Sequence, residues 1–87
     1  LYLRHFLSDW SLACCFHLAR VQEWSLAPEL TLGCLRHPTG FVREAVIAYL
    51  KQASPGVLVD ILPKMQQDPD RLVAAQVQEI MAELGTR

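Results

Sequence analysis

No cluster of Lys or Arg stands out in this sequence. Eight basic and nine acidic residues are scattered singly, for a formal net charge of -1. A surface that tracks phosphates needs its basic residues gathered on one face, so nucleic-acid binding is not expected. Long hydrophobic runs are missing too: near the centre the longest stretch without a charge or a proline is AVIAYL, against the roughly 20 residues that cross a bilayer. The opening LYLRHFL has neither the basic start nor the small-residue cleavage site of a secretion signal, and the first residue is Leu1. The chain therefore reads as cut from something longer.

A disulfide framework is absent as well. Three cysteines, two of them adjacent at Cys14 and Cys15, make no disulfide framework. An odd count with a vicinal pair fits a reducing compartment, and a cytoplasmic location is expected. None of the four glycines forms a phosphate loop. A catalytic thiol needs a lowered pKa, a cleft and an orienting Asn or Asp, and no spacing here supplies them. Glu79 and Glu83, four residues apart, read as a solvated face rather than an acid-base pair. The chain is expected to be no enzyme and to hold no cofactor.

What is present is enough for one small fold. Hydrophobic residues make up 52% of the 87 residues and charged residues 20%, unlike a disordered chain. A fold of this length hides only roughly 60–65% of its unfolded surface, so the core is modest.

The sequence repeats. A shift of about 31 residues, within the range of helical-repeat proteins, carries Pro38 onto Pro69, Val42 onto Val73, Val46 onto Val77, Tyr49 onto Ile80 and Leu50 onto Met81. Upstream, Leu30 falls on Ile61 and Cys34 on Met65. The same shift backwards puts Cys14 under Ala45, Cys15 under Val46 and Leu18 under Tyr49. The units are a partial leading one over 1–25, then 26–53 and 54–87.

Each full unit reads as two helices. In the last, Leu58, Ile61, Leu62 and Met65 form one stripe; Pro55 suits a first turn, and Pro63 should bend or shorten the helix. Asp68-Pro69-Asp70 breaks the chain, and either Asp suits the cap of a helix carrying Val73, Val77, Ile80 and Leu84 on one face, with Gly85 as its stop. In the middle unit Ala27, Leu30 and Cys34 share a face behind Pro28, His37 to Gly40 is the turn, and a helix over about 41–52 carries Val42, Ala45, Val46, Tyr49 and Ala53. Phe41, Ile47 and Leu50 lie off that stripe. A lone hairpin has no use for a second apolar side; stacked hairpins do. The expected fold is all-α: a short solenoid of antiparallel helix pairs, with about five or six helices.

CLRHPTGFVREAVIAYL and LPKMQQDPDRLVAAQV resemble HEAT repeats, in which a first helix ends at Asp-Pro and a Val-Arg-x-Ala-Ala helix follows. The short, irregular units look most like the bacterial subset grouped with phycobilisome lyase-type HEAT repeats. The resemblance implies that the second helices line a concave inner surface, and that an Asp before the turn and an Arg after the Val form a ladder between units. Here the ladder is split. Asp68 matches the Asp position but Ala74 stands where Arg belongs, and Arg43 matches the Arg position behind a turn that begins with His37. An Arg43–Asp68 contact between neighbours is the expected remnant.

Two Cys-x-x-His pairs, Cys14 with His17 and Cys34 with His37, have zinc-like spacing on a helix face. The overlay sets both cysteines among apolar positions, and a free cysteine packs as a small hydrophobe, so core packing is expected of Cys14 and Cys34 and no metal. Trp10, at a helix entrance, and Trp24, in a connection, are expected to cap the core. Arg4, His5, Arg20 and Arg36 are interspersed with Asp9, Glu23 and Glu29, which dilutes any anion site.

The leading reading is a non-catalytic protein-interaction or scaffold module. The resemblance places Glu44, Ile47, Lys51, Gln78 and Glu79 on the partner-binding surface, with Ile47 exposed among charges as the anchor. The second reading is a regulatory or positioning domain on a larger protein (a transporter, a nucleotide-sensing protein or a bilin lyase) whose chemistry lies elsewhere. The expected partner is a protein, without nucleic acid or membrane insertion, and exposed ends at Leu1, Leu3 and Phe6 or near Leu72 and Met81 favour self-association.

Overall fold

The computed structural model describes residues 2–85, and the side-chain surroundings of 8–84. The side chains of Leu1, Leu3, Arg4, His5 and Phe6 lie outside that range. Five α-helices follow one another: α1 (Tyr2–Gln22), α2 (Pro28–Cys34), α3 (Gly40–Ala53), α4 (Pro55–Ile61) and α5 (Arg71–Gly85). A 3-10 turn at Leu62–Met65 joins α4 to α5, and no strand occurs among the described residues. No helix there is long and apolar enough to cross a membrane.

Local chemistry sets the boundaries. Pro28 and Pro55 open α2 and α4 in the first turn, where a missing N–H costs nothing. Pro63 cannot donate to the carbonyl four residues back, so the α-helix stops at Ile61 and the chain tightens into the 3-10 turn. α1 ends on Glu23, whose φ of 57° is left-handed. The Trp24 N–H donates to the Ala19 carbonyl at 2.9 Å, the six-to-one bond of a Schellman stop, usually built on glycine.

α3 organises the fold. It packs against α1, α2, α4 and α5, whereas among the described residues no contact joins α1 to α5. Val42, Ala45, Val46, Ile47, Tyr49 and Leu50 of α3 are all buried. Phe16 of α1 meets Tyr49 edge to face at 5.7 Å, and the Tyr49 hydroxyl accepts the Leu26 N–H at 2.8 Å. One side chain thus fills the α1–α3 seam and pins the connection into α2. On the far side Val73, Val77 and Ile80 of α5 are buried, with Leu58 and Leu62 beneath them in the core.

At positions that the overlay pairs in α3 and α5, Val42, Val46 and Tyr49 and their counterparts Val73, Val77 and Ile80 are all buried, whereas Leu30 is exposed where its counterpart Ile61 is half-buried. The overlay of the first unit does not hold. α1 buries Ala13, Phe16 and Ala19, while Cys14 and Cys15 are exposed and Leu18 is 48% exposed. α3 is apolar on several sides, so more than one register matches it, and a slip of one residue turns a helix face by about 100°. The core role expected of Cys14 is corrected with it. In α2 the buried pair is Thr31 and Cys34, not Ala27 and Leu30; Ala27 and Leu30 are exposed, as are Ala53 and Leu84 at helix ends. Thr31 can be buried because its hydroxyl donates to the Ala27 carbonyl at 3.0 Å.

Ile47 is the main correction. It is 0% exposed and belongs to the core cluster, since α3 is packed on several sides by its neighbours, and it cannot serve as a surface anchor. Trp10 lies within α1 rather than at its entrance, half exposed, with its ring edge-on to Phe41 at 6.0 Å. Trp24 is also half exposed.

Ile47→Ala is expected to cost about 2–5 kcal/mol of stability, as a cavity in a core does. Glu23→Gly is expected to gain about 1 kcal/mol by relieving the left-handed residue. Denaturant titration of the two variants checks both; an Ile47→Ala midpoint equal to wild type would contradict the burial.

Candidate interaction surface

Two arrangements of polar groups occupy the described surface. The first is a buried ion pair. Arg43, one turn into α3, donates from Nε to Asp68 Oδ2 at 2.9 Å and from Nη2 to Asp68 Oδ1 at 2.8 Å. Its Nη1 donates to the His37 carbonyl. The two side chains are only 11% and 8% exposed. The expected contact between Arg43 and Asp68 is present, as a bidentate pair.

Asp68 does a second job. Its Oδ1 accepts the Asp70 N–H at 2.9 Å, and Asp70 Oδ1 in turn accepts the Leu72 and Val73 N–H groups at 2.9 and 3.2 Å. Asp70, not Asp68, is the cap of α5. The Asp70 carboxylate also lies against Gly40, where a Cβ would collide with it. Burial raises the Asp68 carboxyl, but the Arg43 hydrogen bonds, the Asp70 N–H and the Arg43 charge outweigh it and hold Asp68 below the usual carboxylate range.

The preceding turn repeats the geometry with other chemistry. The overlay puts His37 on Asp68 and Thr39 on Asp70. His37 Nδ1 accepts the Thr39 N–H at 3.0 Å, the same bond to the residue two ahead. His37 Nε2 faces Asp9 Oδ1 at 3.3 Å, and the Thr39 hydroxyl donates to Asp9 Oδ2. Where α3 offers a cation to a carboxylate in the turn, α1 offers a carboxylate to an imidazole. These contacts occupy His37, and Cys34 is buried with its thiol pushed up by burial. Cys14 is exposed, yet no group of three or more metal-ligating side chains gathers among the described residues.

The second arrangement is a groove. Since α1 and α5 both rest on α3 without meeting, α3 floors an opening between them. It holds about 500 Å³ and is lined by Arg20 from α1, Ala48, Lys51 and Gln52 from α3, and Gln76, Glu79 and Ile80 from α5. A smaller hollow of about 220 Å³ continues it past Arg20 and Gln52 toward Glu23, Trp24 and Ser25. Gln76 Nε2 donates to the Glu44 carbonyl at 3.1 Å, but Gln76 Oε1 has no partner, and neither has Arg20 Nε; both atoms are buried. An unpaired buried polar atom costs about 1–3 kcal/mol, so this floor is left incompletely satisfied.

Of the residues expected on the binding surface, Lys51 and Glu79 line the groove. Lys51 also meets Glu83 at 3.2 Å, an exposed pair. Glu44 is half-buried at its edge and contributes its carbonyl; Gln78 is exposed but outside the lining, and Ile47 lies in the core. Sequence reasoning missed Gln52 and Gln76, uncharged residues with no motif, and treated Arg20 as one of several scattered cations. Arg20 follows Ala13 and Phe16 at helical spacing, which was the available signal.

No protein-family model, curated protein or solved structure matches this chain.

Arg43→Ala is expected to cost about 3–5 kcal/mol, because it strands the Asp68 charge in a buried site. Asp68 is held below its unfolded value, so its contribution is complete above the ordinary carboxylate pKa of about 4 and fades as pH falls through the lower folded value. Wild type should therefore lose stability in that acid window. Asp68→Asn, which keeps the acceptor for the Asp70 N–H, should show a smaller loss across the same window; equal slopes from denaturant titrations at stepped pH would refute the assignment. Gly40→Ala should cost about 1–3 kcal/mol through the clash with Asp70.

Proposed function

We propose that this chain is a non-catalytic protein-interaction module, a short HEAT-like solenoid whose α1, α3 and α5 are the second helices of their units and together receive a segment of a partner protein. The observation that carries the reading is the groove over α3, framed by three helices and lined by Arg20, Lys51, Gln52, Gln76 and Glu79 with the apolar Ala48 and Ile80 among them. Cations and a carboxylate side by side suit a polypeptide, whose own charges and amides alternate along its length, better than a ligand of one sign. The unsatisfied Gln76 Oε1 and Arg20 Nε belong to the same reading: a partner that draws these side chains outward gives them the acceptors and donors they lack.

The buried ion pair supports the module without entering its binding face. It holds α3 against the turn that starts α5, one of the two helices that flank the groove. The site acts by shape and charge pattern, with no reaction to perform.

The test is selection from a displayed peptide library against the wild-type chain, with rebinding to the double variant Lys51→Glu, Glu79→Lys. Both residues are exposed, so the variant should keep its fold. Selected peptides should bind the variant at least about tenfold more weakly, a difference of 1.4 kcal/mol. Peptides that bind both chains alike would remove the groove from consideration.

A further inference from the structure

The two polar atoms left buried without a partner, Arg20 Nε and Gln76 Oε1, come from the two walls of one groove. Arg20 belongs to α1 and Gln76 to α5, and both line the opening of about 500 Å³ over α3. Their needs are complementary: the first is a donor and the second an acceptor. The orientation of the Gln76 amide is settled by its neighbour. Nε2 meets the Glu44 carbonyl at 3.1 Å, and a carbonyl can only accept, so the free end of the amide is the oxygen. Glu23 and Glu79 line the same hollows as Arg20, yet no carboxylate pairs with Arg20 among the described residues.

Few groups satisfy both atoms at once. A carboxylate suits Arg20 but meets Gln76 Oε1 and Glu79, which are acceptors too. An ammonium suits Gln76 but meets the charges of Arg20 and Lys51. A neutral group with one acceptor and one donor suits both. In a trans peptide unit the C=O and N–H point in opposite directions, as two facing walls require, whereas a side-chain carboxamide carries both at one end. A helical partner has its peptide groups bonded internally, so only an extended segment has them to offer.

We propose that the groove takes one main-chain peptide unit of an extended partner segment, its C=O accepting from Arg20 Nε and its N–H donating to Gln76 Oε1. Both residues are half-buried, and small side-chain rotations bring the two atoms to the opening. The inference rests on the groove being the binding face and adds what that face reads. Main-chain bonds hold the segment, and Lys51 and Glu79 select among its side chains.

The test uses N-methylacetamide, a single trans peptide unit, titrated into the isotope-labelled full chain and followed by NMR at the side-chain N–H resonances of Arg20 and Gln76. Both should move and saturate together. N,N-Dimethylacetamide, which has no N–H to donate, should bind about tenfold more weakly, the worth of one hydrogen bond. Acetate should leave the Gln76 resonances in place. In Arg20→Lys, which keeps the charge and loses the Nε–H, N-methylacetamide should also bind about tenfold more weakly, with the circular dichroism of the folded chain retained. Unmoved resonances in wild type, or N,N-dimethylacetamide or acetate binding as tightly as N-methylacetamide, overturns the proposal. The readout needs no partner and so separates from the function: library peptides that depend on Lys51 and Glu79, beside a chain blind to N-methylacetamide, would leave the groove its role and remove only the peptide-unit assignment.

Discussion

A single guanidinium holds three parts of this chain in register. Arg43 reaches back to the His37 carbonyl, ahead of its own helix, and forward to the Asp68 carboxylate in the turn before α5. Asp68 then holds the Asp70 N–H, Asp70 caps α5, and the Asp70 carboxylate closes against Gly40 at the start of α3. The contacts form a ring that leaves α3 and returns to it. Its charges are nearly sealed from water, so they tolerate no loose geometry: a buried carboxylate without its partner is far more costly than the pair is favourable. The ring ties the start of α3 to the start of α5, one of the two helices that flank the groove.

How much of this was legible beforehand depended on the kind of signal. Prolines and aspartates marked helix starts and breaks well, since each acts through its own backbone: Pro28, Pro55 and Pro63 fall where their missing N–H predicts. The Arg43–Asp68 pair was legible only through a resemblance, as nothing in periodicity links residues so far apart. Side assignments failed where a helix is apolar all round. Ile47 looked like a surface anchor because charges flank it in sequence, but the neighbouring residues on a helix point about 100° away and say nothing about its own side. Cys14 and Leu18 were set in the core by an overlay that α3, apolar on several sides, satisfies in more than one register.

The groove was legible in part for a different reason. Lys51 and Glu79 are charged and could be placed on outward faces. Arg20, Gln52 and Gln76 acquire meaning only once α1 and α5 flank α3 without touching. A cleft of this kind is a property of the spacing between elements, and spacing is not encoded in any one segment.

That same spacing has a kinetic corollary. Among the described residues α1 is fastened to α3 alone, whereas α5 is fastened to α3 and to the 3-10 turn after α4. α1 can fray while α5 stays protected, and opening α3 removes all of the packing that α1 has and part of that of α5. Amide exchange in such a molecule is graded from the ends toward α3, and a disturbance at one outer helix is felt at the other only to the extent that α3 itself yields.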